Sequence, residues 1–310
     1  MQHRIEPSRS TLHGHFSREL QPVLTIDAGD TVEYRMLDAG WGLERPPQPG
    51  ARGRVFEPRV ERLDAGHALC GPIFIRGAEP GMALEVQVDA LEPANWGVTF
   101  AGGFESRVNR VLGVADVERT CLLWDLDQEA EVGRDQHGHT VRLRPFLGVM
   151  GMPPAEPGVH TTTPPRATGA NIDCRELTAG SRLFLPIAVA GGLFSAGDGH
   201  AAQGDGEVSE TAIECGMEQA RLTFHLRPDL HLRMPRARTE DAWITFGFAE
   251  DLDQAMAIAV REVVELIAAT HDVERREALA LASVAVDLRI TQVVNSVVGA
   301  HAVLRDDAIR

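Results

Sequence analysis

Alternation of apolar and polar residues at period two constrains this chain more than any other feature. Val32, Tyr34 and Met36 alternate with Glu33 and Arg35, and Leu84, Val86 and Val88 with Glu85 and Gln87. Leu222, Phe224 and Leu226 alternate with Arg221, Thr223 and His225, and Ile244, Phe246 and Phe248 follow Trp243 in the same way. Successive side chains of a strand point to opposite faces, so each run reads as a strand with one face on a core. Turn residues recur every 8 to 15 positions from about residue 20 to 250. Many short strands closed by Gly and Pro favour two packed sheets or a barrel. Gly29, Gly81 and Gly180 each precede a strand, as turns do in any β-rich chain.

Helical spacing comes late. Asp251 is a cap candidate with Gln254 three residues on, and Leu252, Met256, Ala259, Val260, Val263, Val264 and Ile267 fall on one stripe. Residues 283–292 alternate again and read as a strand, while 44–58 and 127–140 read as exposed loops. The expected fold is mainly β, one domain over residues 1–310. Its β-rich core covers about 20–250, with a smaller α+β element at about 250–310 near the C-terminus.

Composition closes several routes. All 30 cations are Arg, so chemistry that needs a lysine amine is excluded: Schiff bases, the phosphate-loop lysine and the lysine-dependent amidases. A formal charge of −15 opposes binding to nucleic acid. Residues 183–197, a long uncharged run, are too short and too broken by Pro186, Gly191 and Gly192 to span a membrane. Four widely spaced cysteines and a start without an apolar signal core lead us to expect reduced thiols in the cytoplasm.

The chemistry concentrates between residues 194 and 214. Residues 183–220 contain no Arg but six acids: Asp198, Asp205, Glu207, Glu210, Glu214 and Glu218. A glycine-rich, carboxylate-rich segment with His200 and no countercharge calls for a cation; the alternative is a solvated acidic loop. Asp198 and His200 share one side of an extended segment. Glu214, between Ile213 and Cys215, would be costly on an inner face unless paired or metal-bound. Asp173 is a further ligand or an Asx turn, and Arg166 a substrate or loop anchor. His13 with His15 and His137 with His139 have ligand spacing, and Thr161–Thr163 could offer hydroxyls. Cys70, Cys174 and Cys215 read as small buried thiols. Trp41, Trp96 and Phe194 could wall a pocket or simply pack.

Several blocks together resemble the acetamidase/formamidase family. They are Gly71-Pro72-Ile73-Phe74-Ile75-Arg76-Gly77-Ala78-Glu79-Pro80-Gly81, then Gly169-Ala170-Asn171-Ile172-Asp173. Next come the stretch from Gly180 to Pro186 and Gly197-Asp198-Gly199-His200-Ala201-Ala202-Gln203-Gly204-Asp205-Gly206-Glu207, and last Val286-Asp287-Leu288-Arg289-Ile290-Thr291-Gln292-Val293-Val294-Asn295. They run in the family's order over about residues 20 to 300. Two positions depart: Met82 stands where the family carries Asp, and Ala170 replaces the second Gly of a pair, which puts the substrate range in question.

The resemblance implies a jelly-roll-like β sandwich, a homodimer or higher homo-oligomer, and metal-dependent hydrolysis of short linear amides to carboxylate and ammonia. Asp198, His200 and Glu214 are then the expected metal ligands, with Asp173 a possible fourth. Glu207, Asp205 and Asp173 are the expected acid–base groups, and Asn171, Gln203 and Arg166 the expected substrate contacts. One imidazole with carboxylates suits Zn, with Ca, Mg or Mn as alternatives. Lowering a water pKa from about 15.7 to about 7 is worth about 12 kcal/mol toward hydroxide at neutral pH. The rival readings are a non-catalytic, metal-containing binding protein for a small ligand, and a thiol hydrolase using Cys174 or Cys215.

Overall fold

The computed structural model describes all 310 residues. Two large sheets carry the chain. Spatial order in the first is Gln2–Ile5, Thr31–Met36, Met217–Arg227, Ala83–Pro93, Arg182–Pro186, Arg236–Arg238, Ala242–Ala249, Val298–Arg305 and Val286–Gln292. At the heart of the second, Trp96–Ala101, Glu214–Cys215, Phe194–His200, Phe146–Gly151 and Gly169–Asn171 lie side by side, and Leu69–Ile75 also pairs with Phe194–His200.

The predicted strands form as the alternation demands. Val32, Tyr34, Met36, Leu84, Val86, Val88, Leu222 and Phe224 are buried from the first sheet. Cys70, Ile73, Ile75, Leu147, Phe194 and Ala196 meet them from the second, in one cluster of 43 buried residues. Phe194 and Phe224 cross the interface edge to face, 5.1 Å between centroids. The molecule is therefore a mainly β sandwich, as expected.

Three helices form: α1 (Arg107–Val111), α2 (Leu252–His271) and α3 (Arg275–Ala285). The Asp251 carboxylate caps α2, accepting from the backbone N–H of Asp253 and Gln254. Ala259, Val263, Val264 and Ile267 are buried as the stripe predicts, but Met256 is 37% exposed, so the buried face is rotated toward Ala255 and Leu266. α2 packs where Gly247 leaves room: a Cβ there would lie 1.9 Å from the Ala255 carbonyl oxygen. The two C-terminal strands pair with each other and with Ala242–Ala249, which builds the helix pair onto the first sheet.

Four expectations need correction. Residues 283–285 close α3, and the strand starts only at Val286. Residues 275–282, a helix of alanines and arginines, carried no broad apolar stripe and were missed. Within 127–140, Val132–Asp135 is a strand that pairs with Thr120–Asp127; its face is short and mixed, which made it resemble a loop. Strands also precede residue 20, among them Gln2–Ile5, whereas the C-terminal pair belongs to the α+β element expected at about 250–310. No helix is long and apolar enough to cross a membrane.

Gly247→Ala should lower stability by about 3 kcal/mol, since backbone cannot yield as a flexible side chain does. Chemical denaturation of the two proteins measures it.

Candidate metal and acid–base site

Adjacent strands assemble the site. Phe194–His200 and Glu214–Cys215 run antiparallel with His200 opposite Glu214, so the two side chains are cross-strand neighbours. Asp198, two residues back, shares their face. His200 Nε2 lies 3.4 Å from Asp198 Oδ1 and 3.3 Å from Glu214 Oε2. Asp198 is 2% exposed, His200 1% and Glu214 9%. Asp173 and Glu207 approach the same imidazole, their ligand atoms and that of His200 lying within 4.8 Å of one another. Gly148 makes this convergence possible: a Cβ there would stand 2.5 Å from Asp198 Oδ2, 2.7 Å from Asp173 Oδ1 and 2.9 Å from His200 Cε1.

Gln203 sets the imidazole tautomer. Its Nε2 donates to the Asp173 carbonyl at 2.8 Å, which turns Oε1 toward His200 Nδ1 at 2.9 Å. Nδ1 must carry a hydrogen to meet that acceptor, so Nε2 faces the two carboxylates. The arrangement matches a metal-ligating histidine fixed by an outer hydrogen bond. Glu214 Oε2 and Asp173 Oδ1 are buried with no hydrogen-bond partner, and so is Asn171 Oδ1. Asp198, His200 and Glu214 thus offer one nitrogen and two carboxylates to a divalent ion, and the donor set fits.

Burial and charge oppose each other here. Burial alone would neutralise Asp198 and His200, but charge outweighs it: the imidazole holds Asp198 below the usual carboxylate range, and the carboxylates of Glu214 and then Asp198 hold His200 above the usual imidazole range. Asp173 is pushed up to about 8, mainly by burial and then by the carboxylates of Asp198 and Glu214, which His200 partly offsets. Glu207 is raised by burial first and by Asp173 second. Two such neighbours can share one proton. Asn295 holds the pair in place, donating from Nδ2 to Asp173 Oδ2 at 2.7 Å.

A cavity of about 540 Å³ opens over these groups, lined by Asn171, Asp198, His200, Glu207, Glu214 and Asn295 among others. Backbone strain concentrates around it. Ala170, Asp173, Asp198, Glu207 and Glu210 have φ between +47° and +69°, a region that side-chain-bearing residues seldom adopt.

Other predicted residues fall elsewhere. Asp205 does not line this cavity; its carboxylate lies 3.6 Å from Arg175 Nε. Arg166 anchors its own loop, donating to the carbonyls of Pro164 and Thr161. Gln203 positions His200 and is not among the lining residues. Thr162 receives the backbone N–H of His67, which does line the cavity. His13 is buried against His15 O and Ser195 Oγ, its pKa lowered to about 4 chiefly by burial, and His139 pairs with Asp135 in an exposed turn. Trp41 and Phe194 belong to the core; only Trp96 of the three aromatic candidates reaches the cavity.

The thiol alternative loses its nucleophile. All four cysteines are free. Cys174 does meet Glu176 and His301, but all three are buried away from the cavity, and burial followed by the Glu176 charge holds the thiol protonated. Burial raises Cys215 as well and pushes Cys70 up to about 12. Met82 packs against the core without reaching the cavity, so the departure from the family pattern there is remote from the site. Gly148, His67, Asp38 and Asn295 were not anticipated as site residues. Only Asn295 stood in a quoted block, and nothing in its spacing assigned it a role.

The chain is similar to known proteins in sequence and in fold. The Acetamidase/Formamidase family profile matches residues 1–161 and 155–238. An acetamidase of Mycolicibacterium smegmatis is 50% identical, across 66% of this chain and 63% of the relative. A formamidase of Methylophilus methylotrophus is 25% identical, across 64% and 60%. The chain thus spans about 60% of the length of these curated relatives. Among solved structures, a recombinant predicted acetamidase/formamidase from Thermoanaerobacter tengcongensis superposes with TM-score 0.84 at 26% identity, covering 99% of this chain and 96% of that one. An acetamidase from Yersinia enterocolitica gives 0.85 at 24%, covering 100% and 94%, and supports the fold.

Replacing Gln203 by Ala should weaken divalent-ion affinity about 10- to 100-fold by freeing the imidazole tautomer. Titration calorimetry on chelator-treated protein measures the change.

Proposed function

The chain belongs to the acetamidase/formamidase family, and from that premise we propose that it hydrolyses linear primary amides, the class of formamide and acetamide, to carboxylate and ammonia. Asp198, His200 and Glu214 would hold a divalent ion, Zn by ligand chemistry, with Mn, Mg or Ca as the other candidates. One observation carries the reading: four buried acids converge on one imidazole, three of them lining the cavity, and none has an arginine salt-bridge partner.

When bound, the ion supplies a Lewis acid for the amide carbonyl and acidifies water. The remaining work falls to the chain. Glu207 borders the cavity and stands in the best position to take a proton from the attacking water and return it to the departing nitrogen. Asp173 lies behind it, and burial together with their mutual repulsion favours one proton on the pair, so the single remaining negative charge is the base that takes the water proton. Asn295 fixes Asp173, and the unpartnered Asn171 Oδ1 can accept from the amide NH₂ and orient the carbonyl. Strands on both sides hold these groups, which limits the reorganisation each turnover requires.

Ammonia release from an amide should vanish on chelation and return when one of the four metals is added back, whose rank identifies the ion. His200→Ala should lose both ion and turnover. Glu207→Gln should keep the ion and lower kcat about 10²- to 10⁴-fold. Full turnover by metal-free protein would contradict the proposal.

A further inference from the structure

The cavity is far larger than formamide or acetamide requires. It encloses about 540 Å³, within the range of about 300–1,000 Å³ that suits much larger ligands. One wall is apolar and regular. Trp96, Val98 and Phe100 all line the cavity because they alternate along a single strand, Trp96–Ala101. The intervening residues point the other way. Thr99 Oγ1 donates to the Ala212 carbonyl at 2.6 Å, and a Cβ on Gly97 would meet Ile213 Cγ2 at 2.6 Å.

Register ties this wall to the chemistry. Val98 pairs directly with Glu214, so apolar surface begins one strand away from a proposed metal ligand. Val98 is buried and both aromatic residues are half-buried. Arg119 stands 5.7 Å over the Phe100 ring and holds it from one side. None of the three wall side chains carries a charge of its own, and the carboxylates of Asp198 and Glu214 beside the wall oppose an anionic group there, while Arg52 and Arg59 line the cavity elsewhere.

Resting on the amide-hydrolase reading, we propose that Trp96, Val98 and Phe100 form an acyl subsite. The preferred substrates are linear primary amides whose acyl group is uncharged, apolar and larger than methyl. A single methylene in such a pocket changes discrimination about 10-fold or more, so the wall should dominate the choice of substrate.

The test is kcat/KM for ammonia release from formamide, acetamide, isobutyramide and benzamide by the metal-loaded protein. The value for benzamide or isobutyramide should exceed that for acetamide by about tenfold or more. Trp96→Ala should lower that ratio about tenfold, and Trp96→Phe should restore most of it. Phe100→Leu supplies an independent change of the same wall should Trp96→Ala fold poorly. Formamide or acetamide emerging as the best substrate would overturn the subsite and leave the amidase standing. An equal effect of the wall variants on all four amides would do the same. Ammonia from none of them would overturn both.

Discussion

Negative charge buried without an arginine is the constraint on which the rest of this structure depends. Several buried acids elsewhere meet guanidinium groups: Asp64 meets Arg9 at 2.6 Å, Glu176 meets Arg289 at 2.8 Å, and Glu85 meets Arg227 at 3.0 Å. Asp198 and Glu214 have His200 as their ion-pair partner, and Asp173 and Glu207 repel each other with no cationic partner of their own. An isolated buried carboxylate is too costly to persist, so such a cluster must bind protons, a cation or both. The geometry separates the two groups: burial raises the pKa of Asp173 and Glu207, and Asp198, His200 and Glu214 are the trio proposed to hold a cation.

Much of the surrounding fold serves that division. Register between two strands brings Glu214 to His200, a glycine at 148 leaves the space where three side chains meet, and Gln203 fixes which imidazole nitrogen faces them. Asp198 and Asp173 sit at φ of +60° and +55°, conformations held by the flanking strands at a cost in backbone strain. A rigid sandwich can bear that cost because its core is continuous between the sheets.

Legibility in the sequence followed the physics of each feature. Strands with one buried face announce themselves by alternation, and Thr31–Met36, Ala83–Pro93 and Ala242–Ala249 were readable for that reason. The inner trio was readable because a run without Arg contained acids flanking a histidine. Asp205 was misassigned because its spacing resembles that of Glu207, and only three-dimensional placement shows its carboxylate turned to Arg175. Asn295 and His67 reach the cavity from distant segments, a closeness that no local pattern encodes. α3 was hidden because its exposed face is charged and its buried face is only alanine, Ala278 and Ala282.

The same cavity joins a polar, strained floor to an apolar strand face, so the proposed chemistry and the proposed acyl subsite lie on different elements. The proposed reaction rests on an ion lying where Asp198, His200 and Glu214 converge. Anomalous X-ray scattering at the absorption edge of the bound metal tests this most directly. The account predicts a single peak about 2.0–2.2 Å from His200 Nε2 and from oxygens of Asp198 and Glu214. A metal-loaded, active crystal with its peak elsewhere, or with none, would contradict it.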